Sequence, residues 1–249
     1  MAFSDDLNAC AALVEKGDPW RFRTVMAAPP DARAKLFPLY AFNVEVSRAP
    51  YVTAEPMIAE MRLQWWRDAL EEIANGTPRR HEVVTPLSDL LSPGQAQQLD
   101  RLVAARRWDC HKDAFEDHAA LETYLRDTSG TLMQVAADLL TGPEDVAQET
   151  GFALGIASWL TAIPALEAAK RIPLVDGTPA GVTAFANTGL NALQHSQRNI
   201  PRPARPAFWP ALGAYRVLHA AKSNPARVEQ DALPSIAPSF FALKVLFRS

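Results

Sequence analysis

The chain has 249 residues and a formal net charge of −3, from 25 Lys and Arg against 28 Asp and Glu. A chain of this length can bury a core without disulfide or metal staples, and its balanced charge argues against a nucleic-acid binder, which needs an excess of cations. No apolar run approaches the roughly 18 residues of a membrane span. The first residues lack a basic and apolar leader and include Asp5 and Asp6, so we expect a cytoplasmic protein. Cys10 and Cys110 stand alone and are expected to be free thiols.

Helical periodicity begins near the first residues. Ser4 can cap a helix that ends at Gly17, and a proline at position 19 can start the next one. A longer helix opens near residue 30 and must stop at Pro50, because a proline ring clashes with the carbonyl oxygen four residues earlier. The clearest amphipathic helix then begins at Pro56 and ends before Gly76. Its apolar stripe consists of Leu63, Trp66, Leu70 and Ile73.

Further helices are predicted after position 76, and the alternation typical of a strand is scarce throughout the chain. The span 77–91 is read as loop with a short helix, and the span 172–183 as loop. The predicted helices cover residues 94–108, 121–140, 144–169, 184–197 and 210–222. The chain is therefore predicted to be an all-α bundle of about nine helices, forming one domain over residues 1–249 with an apolar tail at 235–249.

Two segments resemble the squalene/phytoene synthase family. Residues 39–42 read Leu-Tyr-Ala-Phe, and residues 61–67 read Met-Arg-Leu-Gln-Trp-Trp-Arg. In that family such a run leads into the first aspartate-rich motif, and such a helix follows it. Weaker likenesses at 124–130 and 155–157 come in the same order as in the family. The resemblance implies an isoprenoid synthase-type helical bundle.

The aspartates that the family uses are missing. In family enzymes two D-x-x-x-D motifs on facing helices hold the Mg²⁺ ions that bind the leaving diphosphate, because hard cations need oxygen ligands. The resemblance places the first pair at Ser47 and Tyr51, and leaves only Glu167 as an acid in the second region. No catalytic, cofactor-binding or metal-binding residue is therefore predicted, and no cofactor is expected. Mg²⁺ is expected only if the chain is a divergent prenyl transferase.

A narrower match points to a function. The Ala-Phe-Asn-Val-Glu run from residue 41 and the helix from residue 61 resemble squalene/phytoene synthase-like proteins that assemble respiratory complex I. The resemblance implies a catalytically inactive assembly or chaperone-like factor whose partners are proteins of a membrane respiratory complex. It also implies a cytoplasmic location, peripheral at the inner membrane. The apolar tail, flanked by Lys244 and Arg248, can lie in a membrane interface or equally dock on the protein's own core.

Two alternatives stay open at this point. One is a divergent prenyl transferase that uses Glu45, Glu60 or Glu167 as metal ligands, and the other is a carrier that binds an apolar lipid or isoprenoid. The candidate pocket-lining residues under any of these readings are Tyr40, Asn43, Ser47, Arg62 and Trp66.

Several other residue groups favour structural readings. Trp65 and Trp66 point about 100° apart on a helix, so they are not expected to face one cavity squarely, and Trp66 is expected in the core. Arg62 and Arg67 are expected on a solvated helix face or paired four residues away. Four potential metal ligands occur close together in the sequence: His111, Asp113, Glu116 and His118. A metal site is disfavoured because no helical spacing places all four side chains on one face.

Overall fold

The regular structure of the protein is helical. A computed structural model describes residues 4–53, 55–195 and 200–237, and these residues contain no β-strand. The α-helices are α1 Asp5–Gly17, α2 Pro19–Ala27, α3 Pro30–Arg48, α4 Pro56–Ala74, α5 Val84–Ser88, α6 Pro93–Ala105, α7 His118–Leu125, α8 Thr131–Leu139, α9 Glu144–Ala168, α10 Pro179–His195, α11 Arg205–Phe208, α12 Ala214–Ser223 and α13 Ala226–Glu229. Short 3₁₀ helices cover Ala49–Tyr51, Arg106–Cys110, Arg202–Ala204 and Trp209–Ala211. The predicted all-α class is confirmed.

The predicted helix boundaries in the first quarter of the chain have visible causes. The Leu7 amide donates to Ser4 Oγ at 3.2 Å and starts α1. The Arg21 amide donates to Asp18 Oδ1 at 2.9 Å and caps α2. α3 ends at Arg48 and Pro50 lies in the following 3₁₀ turn, so the predicted stop is confirmed. Pro38, in contrast, lies inside α3 and is buried there.

The helices divide into two compact units. The first comprises Met1–His111, Val135–Gly142 and Pro201–Ala207. Within it α1 packs on α2 and α3, and α4 packs on α6. The Lys35 ammonium donates to the Leu139 carbonyl oxygen at 2.8 Å, which ties the end of α8 to α3. The core of this unit includes the fully buried side chains of Phe37, Phe42, Leu63, Leu99 and Leu102.

The second unit comprises Lys112–Gln134, Pro143–Ile200 and Phe208–Ser249. Its centre is α9, against which α7, α10, α12 and α13 pack. By length and composition α9 could cross a membrane, with a mean hydropathy of 1.3 over its most apolar 18 residues. The estimate from the sequence alone missed this run. Thirteen of the 25 residues of α9 are buried, as in a core helix of a globular protein.

The segment 121–140, predicted as one helix, is interrupted. α7 ends at Leu125, one π-helical turn covers Arg126–Gly130, and α8 follows. The predicted tail at 235–249 lies mostly outside the described residues, because the described part of the chain ends at Ala237. The expectation of a single domain over residues 1–249 stays a prediction.

Candidate functional site

The first unit carries an open groove between the end of α3 and the middle of α4. Its volume is about 350 Å³. One side comes from the last turn of α3 and the 3₁₀ turn after it, and the other from α4 and the loop that precedes α5. The lining residues are Glu45, Arg48, Ala49, Val52, Arg62, Trp65, Trp66 and His81.

Aromatic rings form the floor and one wall of the groove. The Trp65 and Trp66 rings meet edge to face with centroids 4.9 Å apart, and the Phe42 ring contacts Trp66 at 5.4 Å from the core side. The His81 ring lies 5.1 Å from Trp65 and 5.7 Å from Trp66. Trp66 is buried, as predicted. Both tryptophans line the groove with their ring planes at 89° to each other, so the wide angle expected between adjacent helical side chains is kept although both contribute to one cavity.

Polar contacts hold this aromatic wall in place. The Val83 amide donates to His81 Nδ1 at 3.1 Å, which leaves Nε2 of a neutral ring to carry the proton. The Arg79 guanidinium stacks on Trp65 with Cζ 4.8 Å from the ring centroid. Glu72 fixes that guanidinium with two hydrogen bonds of 2.6 and 2.7 Å. The same hydrogen bonds hold the pKa of the Glu72 carboxyl below its usual value.

The open rim of the groove is charged. Arg62 is exposed, and Arg48 lies 3.4 Å from Glu45 in a weak, exposed ion pair. Such an exposed pair contributes little to stability, so Arg48 can exchange Glu45 for an acidic ligand. The exposed Arg62 guanidinium can contact the same ligand. A groove with an aromatic floor and cations at its mouth suits a side chain or small molecule that has an apolar body and an acidic end.

Exposed apolar side chains continue from the groove along the start of α4. Met57 is 76% exposed and Met61 is 67% exposed, with Ile58 between them. We call these three residues the methionine ridge. Tyr51 and Val52, just before α4, are also more than half exposed. Methionine side chains adapt to varied apolar partners, so the ridge is a candidate interaction surface.

Two of the five predicted pocket residues, Arg62 and Trp66, line this groove. Tyr40 and Asn43 are buried on α3 and Ser47 is half-buried there. The Ser47 hydroxyl donates to the Val44 carbonyl oxygen at 3.2 Å, within its own helix.

Tyr40 belongs to a buried polar cluster beneath α2. The Arg21 guanidinium contacts Asp18 Oδ2 at 2.5 Å and lies 5.4 Å from the centroid of the Tyr40 ring. Burial raises the pKa of Tyr40 to about 12, partly opposed by the charge of Arg21. Burial also acts to raise the pKa of Asp18, but the charge and hydrogen bonds of Arg21 outweigh it and keep that pKa below 3.8.

Position 51 lies beside an ion pair. The Tyr51 hydroxyl is 3.4 Å from Asp109 Oδ1, and Arg106 Nη1 donates to Asp109 Oδ2 at 3.2 Å. Asp109 is buried, with 1% of its surface exposed. The carboxylate that the Tyr51 hydroxyl contacts is therefore already neutralised by a guanidinium. Sequence reasoning missed this pair, because 58 residues separate Asp109 from Tyr51.

The other predicted candidates are dispersed or paired. His111 Nε2 contacts Glu60 Oε1 at 2.9 Å on the surface. Among the described residues no three His, Cys, Asp or Glu side chains group as metal ligands. Arg67 forms two hydrogen bonds to Asp100, at 2.7 and 3.0 Å, on α6 instead of pairing along its own helix. Glu167 is exposed near the end of α9.

The second unit holds a close contact between the π-helical turn and α9. The π-helical turn packs against α9, and a Cβ at Gly151 would lie 2.6 Å from the Ser129 carbonyl oxygen. Arg126 pairs with Glu149 at 2.6 Å and lies over the Phe152 ring at 3.8 Å. The glycine content of α9 was the available signal, and the π turn itself has no clear sequence signature.

Comparisons with known proteins identify the family of the chain. The profile of the squalene/phytoene synthase family matches residues 14–175. A Drosophila melanogaster relative, a homolog of NADH dehydrogenase (ubiquinone) complex I assembly factor 6, is 34% identical over 62% of this chain and 50% of its own length. The Rattus norvegicus complex I assembly factor 6 is 26% identical over 91% of this chain and 68% of its own length. The chain thus spans between half and about two thirds of the length of these relatives.

A similar fold occurs among solved structures. A dehydrosqualene synthase crystallised with a ligand superimposes with a TM-score of 0.78, over 98% of this chain and 94% of that one, at 16% sequence identity. At this low sequence identity, the match shows that the two proteins share a fold and nothing more. The functional comparison therefore depends on the sequence relatives.

Proposed function

This chain belongs to the squalene/phytoene synthase family, and from that premise we propose that it is a member without prenyl transferase activity that acts as an assembly or chaperone-like factor for respiratory complex I. The observation that carries the proposal is the pair Ser47 and Tyr51, at the positions where the family resemblance expects metal-binding carboxylates. Its sequence relatives are named complex I assembly factors, whereas the synthase resembles it in fold.

The surroundings of these two positions support the proposal. Mg²⁺ needs oxygen ligands of high charge density, usually carboxylates. Ser47 offers a neutral hydroxyl that is bonded to its own helix, and Tyr51 a neutral phenol. The neighbouring Asp109 is paired with Arg106. A cation placed here would meet a guanidinium, so the charge of a departing diphosphate would lack the metal that stabilises it in family enzymes.

The enzyme alternative gains little from the remaining acids. Glu45 lies at the groove with Arg48 beside it, and Glu60 is bonded to His111. These two carboxylates lie on different helices and do not group with a third ligand in the described part of the chain. We therefore propose that the protein works without a metal ion or cofactor.

The methionine ridge and the groove support a protein-binding role. Met57, Ile58 and Met61 are exposed neighbours on α4, and the groove with its two tryptophans lies beside them. Aromatic and methionine side chains are enriched in the cores of protein interfaces. We propose that this surface contacts an apolar segment of a complex I subunit before that subunit is fully assembled. A bound apolar lipid in the groove is the alternative use of the same surface.

We further propose that the protein works in the cytoplasm, peripheral to the membrane that holds the respiratory complex. The names of the relatives support a partner in that complex, which is a membrane assembly. Nucleic acid is not proposed as a partner, since the chain carries a net charge of −3.

Deleting the gene tests the function. We expect a lower NADH:quinone oxidoreductase activity in membranes of the deletion strain and unchanged carotenoid or hopanoid levels. Re-expression of the wild-type chain should restore the activity. A Met57→Ser/Met61→Ser variant should restore it poorly, because it loses the apolar contact without disturbing a buried residue. Ile172→Ser is the matched control, since Ile172 is 59% exposed but lies in the second unit, on a loop.

Two results would oppose the proposal in different ways. Normal respiration together with a lost isoprenoid product would favour the prenyl transferase alternative. Full rescue by the double methionine variant would keep the function and exclude the ridge as its contact surface. The tagged protein should capture complex I subunits from native membranes. Capture that is lost in the double methionine variant but kept in the Ile172→Ser control would show that the ridge is the contact surface for the assembly function.

A further inference from the structure

Basic residues towards the end of the chain are not balanced by acids. Between Asp176 and Glu229 the sequence contains no Asp or Glu at all, although the whole chain has a net charge of −3. The same stretch carries Arg198, Arg202, Arg205, Arg216, Lys222 and Arg227. A cationic stretch in an acidic protein indicates a surface that meets an anionic partner.

The structure presents part of this stretch on one helix. α12 buries Ala214, Val217, Leu218 and Ala221 within the second unit, where it packs on α9 and α10. The opposite face of the helix is solvent-exposed and contains no acid. It consists of Tyr215, Arg216, His219, Lys222 and Ser223.

Apolar side chains accompany the charges on this face. Tyr215 is 60% exposed, and Leu212, one turn earlier, is 41% exposed. Tyrosine favours the boundary between water and lipid because its ring is apolar and its hydroxyl is polar. Lysine and arginine beside it can keep their charges at the headgroups while their stems lie along apolar surface.

The described chain ends beside the same face. The Ile236 backbone lies directly against Gly213, where a Cβ would find no room, and Arg216 Nη2 donates to the Ser235 carbonyl oxygen at 2.6 Å. The sequence then continues for twelve residues, 238–249, with Lys244 and Arg248 and no acid. Its apolar residues are Phe240, Phe241, Leu243, Val245, Leu246 and Phe247. A cationic, apolar segment therefore leaves the described structure next to a cationic, partly apolar helix face.

We propose that the outer face of α12, with Leu212, is the surface by which the protein docks on an anionic phospholipid bilayer. The proposal rests on the peripheral membrane location given under the proposed function and adds the surface responsible for it. Each Lys or Arg near an anionic leaflet contributes attraction that falls off with salt, and the exposed Tyr215 and Leu212 add apolar contact. The methionine ridge is less suited to this role, because Glu55 and Glu60 flank it.

Vesicle flotation of the full-length protein tests the surface. The test compares vesicles of phosphatidylcholine alone with vesicles of phosphatidylcholine mixed with the anionic lipid phosphatidylglycerol. The wild-type protein should float with the mixed vesicles only, and less so as salt is raised. Lys222→Gln should weaken the apparent partition constant about fivefold, the amount expected for one cation near an anionic surface. Leu212→Ser/Tyr215→Ser should weaken it further, and circular dichroism should show that both variants stay folded.

Matched variants separate this surface from the others. Met57→Ser/Met61→Ser changes two more exposed apolar residues and should float like the wild type. Removal of residues 238–249 should leave partial, salt-sensitive binding that Lys222→Gln still weakens. The proposal is overturned if the wild type does not float, if it floats equally on phosphatidylcholine alone, or if the α12 variants float like the wild type. Loss of flotation in the methionine variant alone would assign the contact to the ridge instead.

The failure of this surface can be told apart from failure of the proposed function. The α12 variants are also introduced into the deletion strain. If flotation is unaffected by them while wild-type re-expression still restores NADH:quinone oxidoreductase activity, the surface is wrong and the function stands. If wild-type re-expression affects no respiratory activity, the function itself is wrong, whatever the vesicles show.

Discussion

Gly151 is the position where the structure predicts the sharpest effect of adding one methyl group. A Cβ built there lies 2.6 Å from the Ser129 carbonyl oxygen, 2.9 Å from Gly130 Cα and 2.9 Å from Met133 Cβ. Two of these three atoms belong to the backbone of the π-helical turn, which cannot rotate away. Gly151→Ala therefore pushes α9 and the turn apart, and overpacking of this kind costs about 3 kcal/mol when the neighbours are rigid.

The substitution also has a favourable part. Alanine is better than glycine in a helix interior by about 1 kcal/mol, so the net loss of unfolding free energy is about 2 kcal/mol. For a chain of this length we expect a fall in Tm of about 4–8 °C. Gly94→Ala is the matched control, because a Cβ there meets nothing within 4 Å and α6 includes this position. It should leave Tm unchanged or raise it slightly.

The assay is thermal and urea unfolding followed by far-ultraviolet circular dichroism on the wild type and the two variants. A Gly151→Ala protein as stable as the wild type would refute the close contact between the turn and α9. A fall in Tm for both variants would show that glycine is needed for reasons other than the contact.

Three further predictions concern the chemistry of the chain. The purified protein should not condense farnesyl or geranylgeranyl diphosphate with Mg²⁺, and Ser47→Asp/Tyr51→Asp should not create the activity; labelled squalene or phytoene above a no-protein control would contradict this. The lowered pKa of Asp18 contributes stability that is present above its ordinary pKa of 3.8 and is lost as the pH falls through its lower folded-state value. Asp18→Asn, which can still cap α2, should therefore flatten the fall of unfolding free energy below about pH 4, and an unchanged pH profile would count against the ion pair. Cys10 is fully buried and burial raises its pKa to about 12, so it should resist thiol reagents at pH 8 until urea unfolds the chain; rapid labelling of the native protein at Cys10 would show otherwise.

The helices could be predicted because their causes are local. The Ser4 cap, the Asp18 cap and the stop at Pro50 each involve residues within four positions of one another. The same rule fails at Pro38 and Pro164, which lie inside α3 and α9. A proline in a helix interior loses one hydrogen bond at a cost of about 3 kcal/mol, and burial of the helix against its neighbours can outweigh that cost.

The groove could be predicted only in part. Arg62 and Trp66 were recognised from the α4 pattern, and both line it. Its other side could not be found from α4, because His81 reaches Trp65 and Trp66 from the loop before α5. The partner of Arg67 was also misjudged, since Asp100 lies 33 residues away on α6 and not one turn along the same helix.

The sequence alone determined the helical class, the family resemblance and the lack of carboxylates at positions 47 and 51, because periodicity and residue identity need no coordinates. Tertiary structure decided what surrounds those positions. Only packing brings Asp109 to Tyr51, seats Trp65 across Trp66 and leaves Met57 and Met61 in solvent. These features depend on which helix faces meet, and that is set by the summed burial of many side chains distant in sequence, which no local pattern records.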